Sequence, residues 1–519
     1  MSKWLVRLSI TATVLQAVGM GIVPYLFYDW YLTTPDAGGW ACGAQTLAET
    51  GQFSDGQTAN LGYNFNICWT KESYPGLQYF LAAIIQVTQL AAVHVIPVLL
   101  VIILTITAVT LWVVGYRMSG SVLVATVAGL AASLTPIALR AFILTPQNLF
   151  GYCLISLLLL ALVEATATKR YWWWVIVGLI ALILNYAHLL SFGIAALTCA
   201  VWFIFGHLPN WKWRLGTTLL ASVTAVAIWT LHLQPAVVNV AINLFQQGQY
   251  AGYDHPIYDH PAFLGYGLTV LAMIGLCFGQ FKQRSHFWLC MWWLVVPLLL
   301  GHLSWFGWVL MPDRFVAYIW ISVVLLAAFG VQRLHQLIPW RKELWLGFLL
   351  LLWGAQVSHA VTYIKDDITG WSYRFKPHSE FIEAVHWLNR QPDQGILVGI
   401  MAVSNRELTF APVWYDGPIT SYPWYNLNHR NLKSFKAKSG LYQGVFADPT
   451  NPEYLRIQAL YTIIAKPKSD QAKPYALKYN LAYLIMPKGS QADTIWQKAQ
   501  PEYFPQIYEN DQYRIFSLR

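Results

Sequence analysis

The sequence predicts a polytopic α-helical membrane protein of about eleven spans, followed by an α/β domain outside the cytosol. Three observations carry this expectation. Of 519 residues, 56% are hydrophobic and only 11% are charged, whereas a soluble chain carries roughly a quarter of its residues as Asp, Glu, Lys or Arg. Apolar runs long enough to cross a bilayer recur as far as residue 362. From residue 363 onward the chain is rich in Lys, Asp, Pro and Tyr and has no such run. This composition excludes a disordered chain, a collagen-like chain and a compact cytosolic enzyme. The net charge of +9 is read as a topology signal rather than a nucleic-acid footprint.

The first apolar run follows MSKWLVR, extends to Tyr28 and has no small-residue cleavage site at its far end, so it is expected to be a retained span starting in the cytosol. Further runs cover 94 to 115, 121 to 138, 147 to 166, 172 to 188, 191 to 206, 215 to 235, 263 to 280, 286 to 303, 315 to 331 and 343 to 362. Strict alternation puts twelve basic residues at cytosolic ends: Lys3, Arg7, Arg117, Lys169, Arg170, Lys212, Arg214, Lys282, Arg284, Arg333, Arg341 and Lys342. It leaves three outside, Lys71, Arg140 and Arg314. That asymmetry is the one the positive-inside rule requires. Acids crowd the outer side, where topology does not need them.

The expected division is a transmembrane domain over 1–362, with a first outer loop at 29–93, and an extracytoplasmic domain over 363–519. Within the latter, 379–391 reads as an amphipathic helix and 395–403 as a buried strand. A helix is expected over 452–464 and a second buried strand over 482–487. Residues 507–518 read as a hairpin turning near Asn510 and Asp511.

The first outer loop is far longer than a connection needs, and long ordered loops in compact proteins are usually functional. Residues 40–50 favour a helix ended by Gly51, and 77–90 form a second, apolar helix along the membrane interface. Asp36 lies just before the first of these. A helix N-terminus keeps a carboxylate there ionised, suited to accepting a proton, holding a metal or simply capping the helix. Cys42 and Cys68 share this loop, where oxidation is permitted, and are a disulfide candidate. Lys71 and Glu72 of the same loop are second-tier site candidates.

Elsewhere the doubled Tyr-Asp-His-Pro of 253–261 offers Asp254, His255, Asp259 and His260, ligand types that suit a divalent ion. His188 and His302 fall at outer ends of spans, where an ionisable group is a site candidate by default. Neither a P-loop nor a dinucleotide fingerprint occurs, so an ATP-driven pump lacks its engine. The middles of the spans carry no Asp, Glu, Lys or Arg, which argues against an ion-coupled transporter.

The order of apolar span, Asp36, the helix Ala44 to Gly51 (AQTLAETG), the segment Tyr74 to Ala82 (YPGLQYFLA) and a second span resembles the first loop of GT-C-type glycosyltransferases. That superfamily includes the protein mannosyltransferase-like and aminoarabinose transferase-like enzymes. RAFILTPQNLF (140–150) and MPDRFVAYIW (311–320) are similar to later segments of the same superfamily. The resemblance implies a GT-C-like domain in which Asp36 is the catalytic base. It implies transfer of a sugar from a polyprenyl-phosphate carrier to a glycan, lipid or protein acceptor outside the cytosol. Where such enzymes often show two adjacent acids, this chain has Pro35-Asp36. A lipid phosphate at the interface needs cationic donors, and Arg140 and Arg314 are the outer arginines of the membrane domain. The expected partners are the lipid-linked sugar and membrane lipids, with no nucleic acid. The rival readings are a lipid-diphosphate-glycan polymerase or ligase, a lipid transporter and a non-catalytic envelope protein.

Overall fold

The computed structural model describes residues 3–28, 35–53, 75–90, 92–144, 146–207, 257–303, 312–338 and 342–370, together with parts of 380–519. The chain divides into two compact units. One comprises Met1–Pro24 and Leu100–Asp366, the other Tyr25–Leu99 and Asp367–Arg519.

The first unit is a helical bundle. Among the described residues five stretches are long and apolar enough to cross a membrane: Lys3–Val23, His94–Ser119, Gln147–Thr168, Arg314–Leu337 and Glu343–Tyr363. Shorter apolar helices lie at Val122–Ala132, Trp172–Ala187, Leu189–Phe205 and Tyr266–Phe278. The run expected at 215–235 lies outside the described residues. In chain order the helices are α1 (Lys3–Tyr28), α2 (Pro35–Thr50), α3 (Pro75–Thr88), α4 (Ala92–Ser119), α5 (Val122–Ala132), α6 (Pro136–Leu144) and α7 (Pro146–Thr168). They continue as α8 (Trp172–Ala187), α9 (Leu189–Trp202), α10 (His260–Leu264), α11 (Tyr266–Phe278), α12 (Arg284–Gly301), α13 (Pro312–Val316), α14 (Trp320–Leu337) and α15 (Lys342–Gly370). The run 121–138 is not one helix. Pro136 cannot donate to the preceding turn and disfavours helix at Thr135, so α5 stops at Ala132 and α6 restarts at Pro136.

The centre of the bundle is α14, in which every residue from Trp320 to Val331 is buried. A helix apolar on all faces is stable only when surrounded, and here α5, α11 and α12 pack against it. The approach to α11 is close enough that backbones touch. A Cβ on Gly275 would run into the Leu326 carbonyl, and one on Gly330 into the Leu271 carbonyl.

Helix α1 is largely exposed and is held instead by a polar ladder. Ser9 Oγ lies 2.5 Å from Thr126 Oγ1 and accepts from Trp112 Nε1 at 2.7 Å. Two turns on, Gln16 Nε2 donates to the Leu130 carbonyl and to Ser133 Oγ, while Trp353 Nε1 donates to Gln16 Oε1.

Polar groups gather at the two ends of the bundle. At one, Arg117 pairs with Glu164 at 2.5 Å, Thr166 Oγ1 meets His286 Nε2 at 3.2 Å, and the Lys282 amide donates to the Met118 carbonyl. At the other, Gly151, His188, Ser191 and Tyr318 meet.

In the second unit α2 and α3 pack on each other. Trp40, Ala41, Ala44 and Leu47 of α2 and Leu77, Leu81 and Ile85 of α3 are buried. Gln86 Nε2 donates to the Ala48 carbonyl, and the Ala92 amide donates to Gln45 Oε1. Gly51, at φ +70°, ends α2 with its amide on the Leu47 carbonyl.

The same unit holds β1 (Ile396–Gly399), β2 (Met401–Val403), β3 (Glu407–Thr409), β4 (Ser421–Tyr422), β5 (Leu481–Pro487), β6 (Gln506–Glu509) and β7 (Tyr513–Ser517). It also holds the helices α16 (Ala472–Lys478) and α17 (Gln491–Ala499). Five strands form a mixed sheet in the order β4-β1-β5-β7-β6. Strand β5 runs parallel to β1 and antiparallel to β7, and β6 and β7 form the terminal hairpin. The run 395–403 is two strands rather than one, since β2 pairs with β3 in a separate sheet. Only isolated residues of the helices expected at 379–391 and 452–464 are described.

Candidate active site

Asp36 is the second residue of α2. The helix starts earlier than its sequence suggests, because Pro35 is pre-organised for the first helical position and offsets the unfavourable Gly38 and Gly39 that follow. Asp36 therefore stands in the first turn rather than before it, where the helix dipole still favours its negative charge. Lys71, Glu72, Cys68, Asp254 and His255 lie outside the described residues, as does the side chain of Cys42.

Arg314 stands in the five-residue helix α13, exposed, at the end of the bundle where α14 begins. A single 3-10 turn, Ala317–Ile319, joins α13 to α14. Arg140 is half-buried on α6, which packs against α7 and α10.

His188 is the single residue between α8 and α9, in extended backbone at φ −158° and ψ 90°. Its imidazole caps α9: the Ser191 amide donates to Nδ1 at 3.2 Å. The Ser191 hydroxyl lies 2.6 Å from the same nitrogen, and Tyr318 OH lies 2.7 Å from Ser191 Oγ and 3.4 Å from Nδ1. Since the backbone N–H points at Nδ1, that nitrogen is the acceptor and the ring proton sits on Nε2. The hydroxyls then order themselves, Tyr318 donating to Ser191 and Ser191 to His188. All three residues are buried. Gly151 of α7 makes the room, because a Cβ there would collide with Ser191 Oγ. Arg314 is near enough to act electrostatically on His188.

Ser191, Tyr318 and Gly151 were not singled out by the sequence reading. A signal existed in His188-Leu-Leu-Ser191, which has the three-residue spacing of a reciprocal helix cap. Nothing comparable marks Tyr318.

His260 and His302, both buried, stack with ring centroids 5.0 Å apart and 28° between planes. Ring nitrogens bind metals in the ring plane, so two stacked faces do not converge on a shared ion. Asp259, at the end of the 3-10 turn Ile257–Asp259, makes no capping bond to α10. Among the described residues no three His, Cys, Asp or Glu side chains gather as a metal site. Cys153, Cys199, Cys277 and Cys290 are free thiols.

Comparison with solved structures places this architecture among known ones. ArnT from Cupriavidus metallidurans, solved bound to undecaprenyl phosphate, superposes with a TM-score of 0.59 over 100% of this chain and 99% of its own, at 12% identity. The chain shares the fold of ArnT. The mycobacterial arabinofuranosyltransferase AftD matches 100% of this chain at a TM-score of 0.54 and 12% identity. Only 40% of AftD is covered, so this chain spans less than half of that protein's length. The Archaeoglobus fulgidus oligosaccharyltransferase, tethered to an acceptor peptide, matches 94% of this chain and 70% of its own at a TM-score of 0.51 and 12% identity. No known family profile and no curated protein matches the sequence.

Proposed function

We propose that the protein is a membrane glycosyltransferase that moves a sugar from a polyprenyl-phosphate donor to an acceptor outside the cytosol. The observation that carries this reading is the end-to-end likeness to a GT-C enzyme solved with undecaprenyl phosphate. In this scheme Asp36, in the first turn of α2, takes the proton of the acceptor hydroxyl. The oxygen attacks the anomeric carbon, the bond from that carbon to the phosphate oxygen breaks, and its electron pair leaves with the lipid phosphate. One displacement inverts the configuration. A single base and a cationic clamp suffice, whereas glycoside hydrolysis uses two flanking carboxylates.

Arg314 and Arg140 are the proposed clamp for the donor phosphate, since guanidinium groups hold phosphate oxygens in bidentate, charge-assisted bonds. His188 and His302 support that end of the bundle rather than reacting. A second reading, transfer of a whole oligosaccharide from a lipid-diphosphate carrier, draws on the likeness to the oligosaccharyltransferase. The test is transfer in vitro by the full-length protein in nanodiscs, from defined polyprenyl-phosphate sugars and from lipid-diphosphate oligosaccharides. Turnover with the monophosphate donors that disappears in Asp36→Asn supports the reading. Turnover only with diphosphate donors selects the second, and equal turnover in Asp36→Asn removes the base.

A further inference from the structure

The proposed clamp residue Arg314 sits on a platform that cannot hold it by itself. Helix α13 has five residues, too few to be stable alone, and it meets the buried α14 through one 3-10 turn. The direction of Arg314 therefore depends on what fixes that turn. The turn is fixed by Tyr318, four residues on. Its ring lies edge-on to Tyr152 at 5.1 Å, and Tyr152 is also edge-on to Trp320 at 5.7 Å. Its hydroxyl ends the chain through Ser191 to His188.

The other end of that chain is equally constrained. His188 is at once the last link of α8 and the cap of α9, and Gly151 of α7 admits the Ser191 hydroxyl because it has no side chain. Helices α8 and α9 and the turn behind Arg314 thus share one buried set of hydrogen bonds, against which Gly151 and Tyr152 of α7 pack. Such networks specify one arrangement when every member is satisfied, and loosen it when one is removed.

We propose that Tyr318, Ser191 and His188 are positioning residues that aim Arg314 at the donor phosphate and so set the affinity for lipid-linked substrate. The inference rests on the reading of Arg314 as a phosphate ligand. It assigns no chemical step to the three residues. Removing the hydroxyl of Tyr318 leaves its ring packed on Tyr152, so Tyr318→Phe isolates the hydrogen bond from the packing. Ser191→Ala removes the middle link and, by losing volume, avoids any clash with Gly151.

The experiment measures binding of undecaprenyl phosphate to full-length protein in nanodiscs for wild type, Arg314→Ala, Tyr318→Phe, Ser191→Ala and the double variant Arg314→Ala/Tyr318→Phe. KM and kcat are then followed with the active donor. The expected result is about a fivefold weaker affinity and higher KM in Tyr318→Phe and Ser191→Ala, with kcat within about twofold, since one neutral hydrogen bond is worth about 1 kcal/mol. The double variant should bind no more weakly than Arg314→Ala alone, because the tyrosine then has nothing to aim; a merely structural role would add to the loss. Loss in Arg314→Ala with wild-type affinity in both Tyr318→Phe and Ser191→Ala overturns the inference while leaving the clamp in place. Additive losses in the double variant also overturn it. Wild-type affinity in Arg314→Ala removes the clamp and the inference together.

Discussion

Gly275 and Gly330 face each other across the interface of α11 and α14 with no side chain between their backbones. A Cβ on Gly275 would stand 2.9 Å from the Gly330 nitrogen, and one on Gly330 would stand 3.2 Å from the Gly275 nitrogen. In a membrane, where lipid tails are as apolar as leucine, helices are held by this kind of close approach rather than by the hydrophobic effect. Gly275→Ala and Gly330→Ala should each lower stability by about 1–3 kcal/mol, the usual cost of overpacking. Thermal unfolding in detergent would show this. Gly178→Ala and Gly354→Ala, on helices where an added Cβ meets nothing, should leave the melting temperature within a degree or two, so equal effects at all four positions would refute the interpretation.

Asp36→Asn keeps the size and the helix-start preference of the side chain but removes its basicity. Turnover should fall by about 10²–10⁴-fold, the range for losing a general base, while binding of undecaprenyl phosphate stays at the wild-type level. Single-turnover transfer with saturating donor is the measurement.

Arg140→Ala and Arg314→Ala should raise the donor KM. A charge-assisted hydrogen bond contributes about 1.5–3 kcal/mol, which corresponds to about 10–100-fold. Lysine at either position should recover only part of the loss, because an ammonium cannot bridge two phosphate oxygens in a plane. Full rescue by lysine would mean that charge alone matters there.

The tail unit has its own fixed point. Arg514 Nη1 donates to both oxygens of the buried Asp493, at 2.5 and 2.6 Å, and the Gly489 amide donates to Asp493 Oδ2 at 2.8 Å. Gly489 itself stands at φ +75°, a left-handed conformation glycine adopts freely, so one carboxylate ties this turn to β7. Asp493→Ala leaves the guanidinium without this partner and should cost about 3 kcal/mol, read as earlier proteolysis of the tail with the bundle intact.

The same unit should respond to pH at the alkaline end. Burial pushes the Tyr513 phenol above its ordinary value near 10. A raised folded-state value means that its contribution is complete below pH about 10 and is lost as pH climbs past that value. Stability of the tail should therefore fall above pH about 10, and Tyr513→Phe should flatten that fall. At the acid end, hydrogen bonds from Lys488 and Gln506 hold the Glu509 carboxyl below its usual range. Its contribution is present above the ordinary carboxylate range and disappears as pH drops through it, and it is small because the group is exposed.

The helical bundle was legible because apolar spanning length is a property of windows, which a sequence displays directly. The terminal hairpin was legible for a related reason: Asn510 and Asp511 interrupt alternating apolar residues, and Asn510 Oδ1 does accept from the Gln512 and Tyr513 amides. The sequence signal for α2 covers 40–50, whereas the helix starts at Pro35, because a proline at the first helical position does not show up as apolar periodicity. The break between α5 and α6 was missed because apolar composition continues through it, while only Pro136 signals the geometry. Gly151 and Tyr318 were beyond sequence reasoning, since each meets Ser191 only after distant parts of the chain have packed. His188 was found by its chemistry, but its role as a helix cap follows from backbone angles that no composition encodes.

The ladder from Ser9 to Gln16 bears on how the protein is made. Helix α1 precedes α4, α5 and α15, which carry its partners, and grease alone would let it roll freely about its long axis. Hydroxyl and amide groups at two heights admit only one azimuth when α5 arrives, so late docking corrects whatever rotation the helix had on insertion.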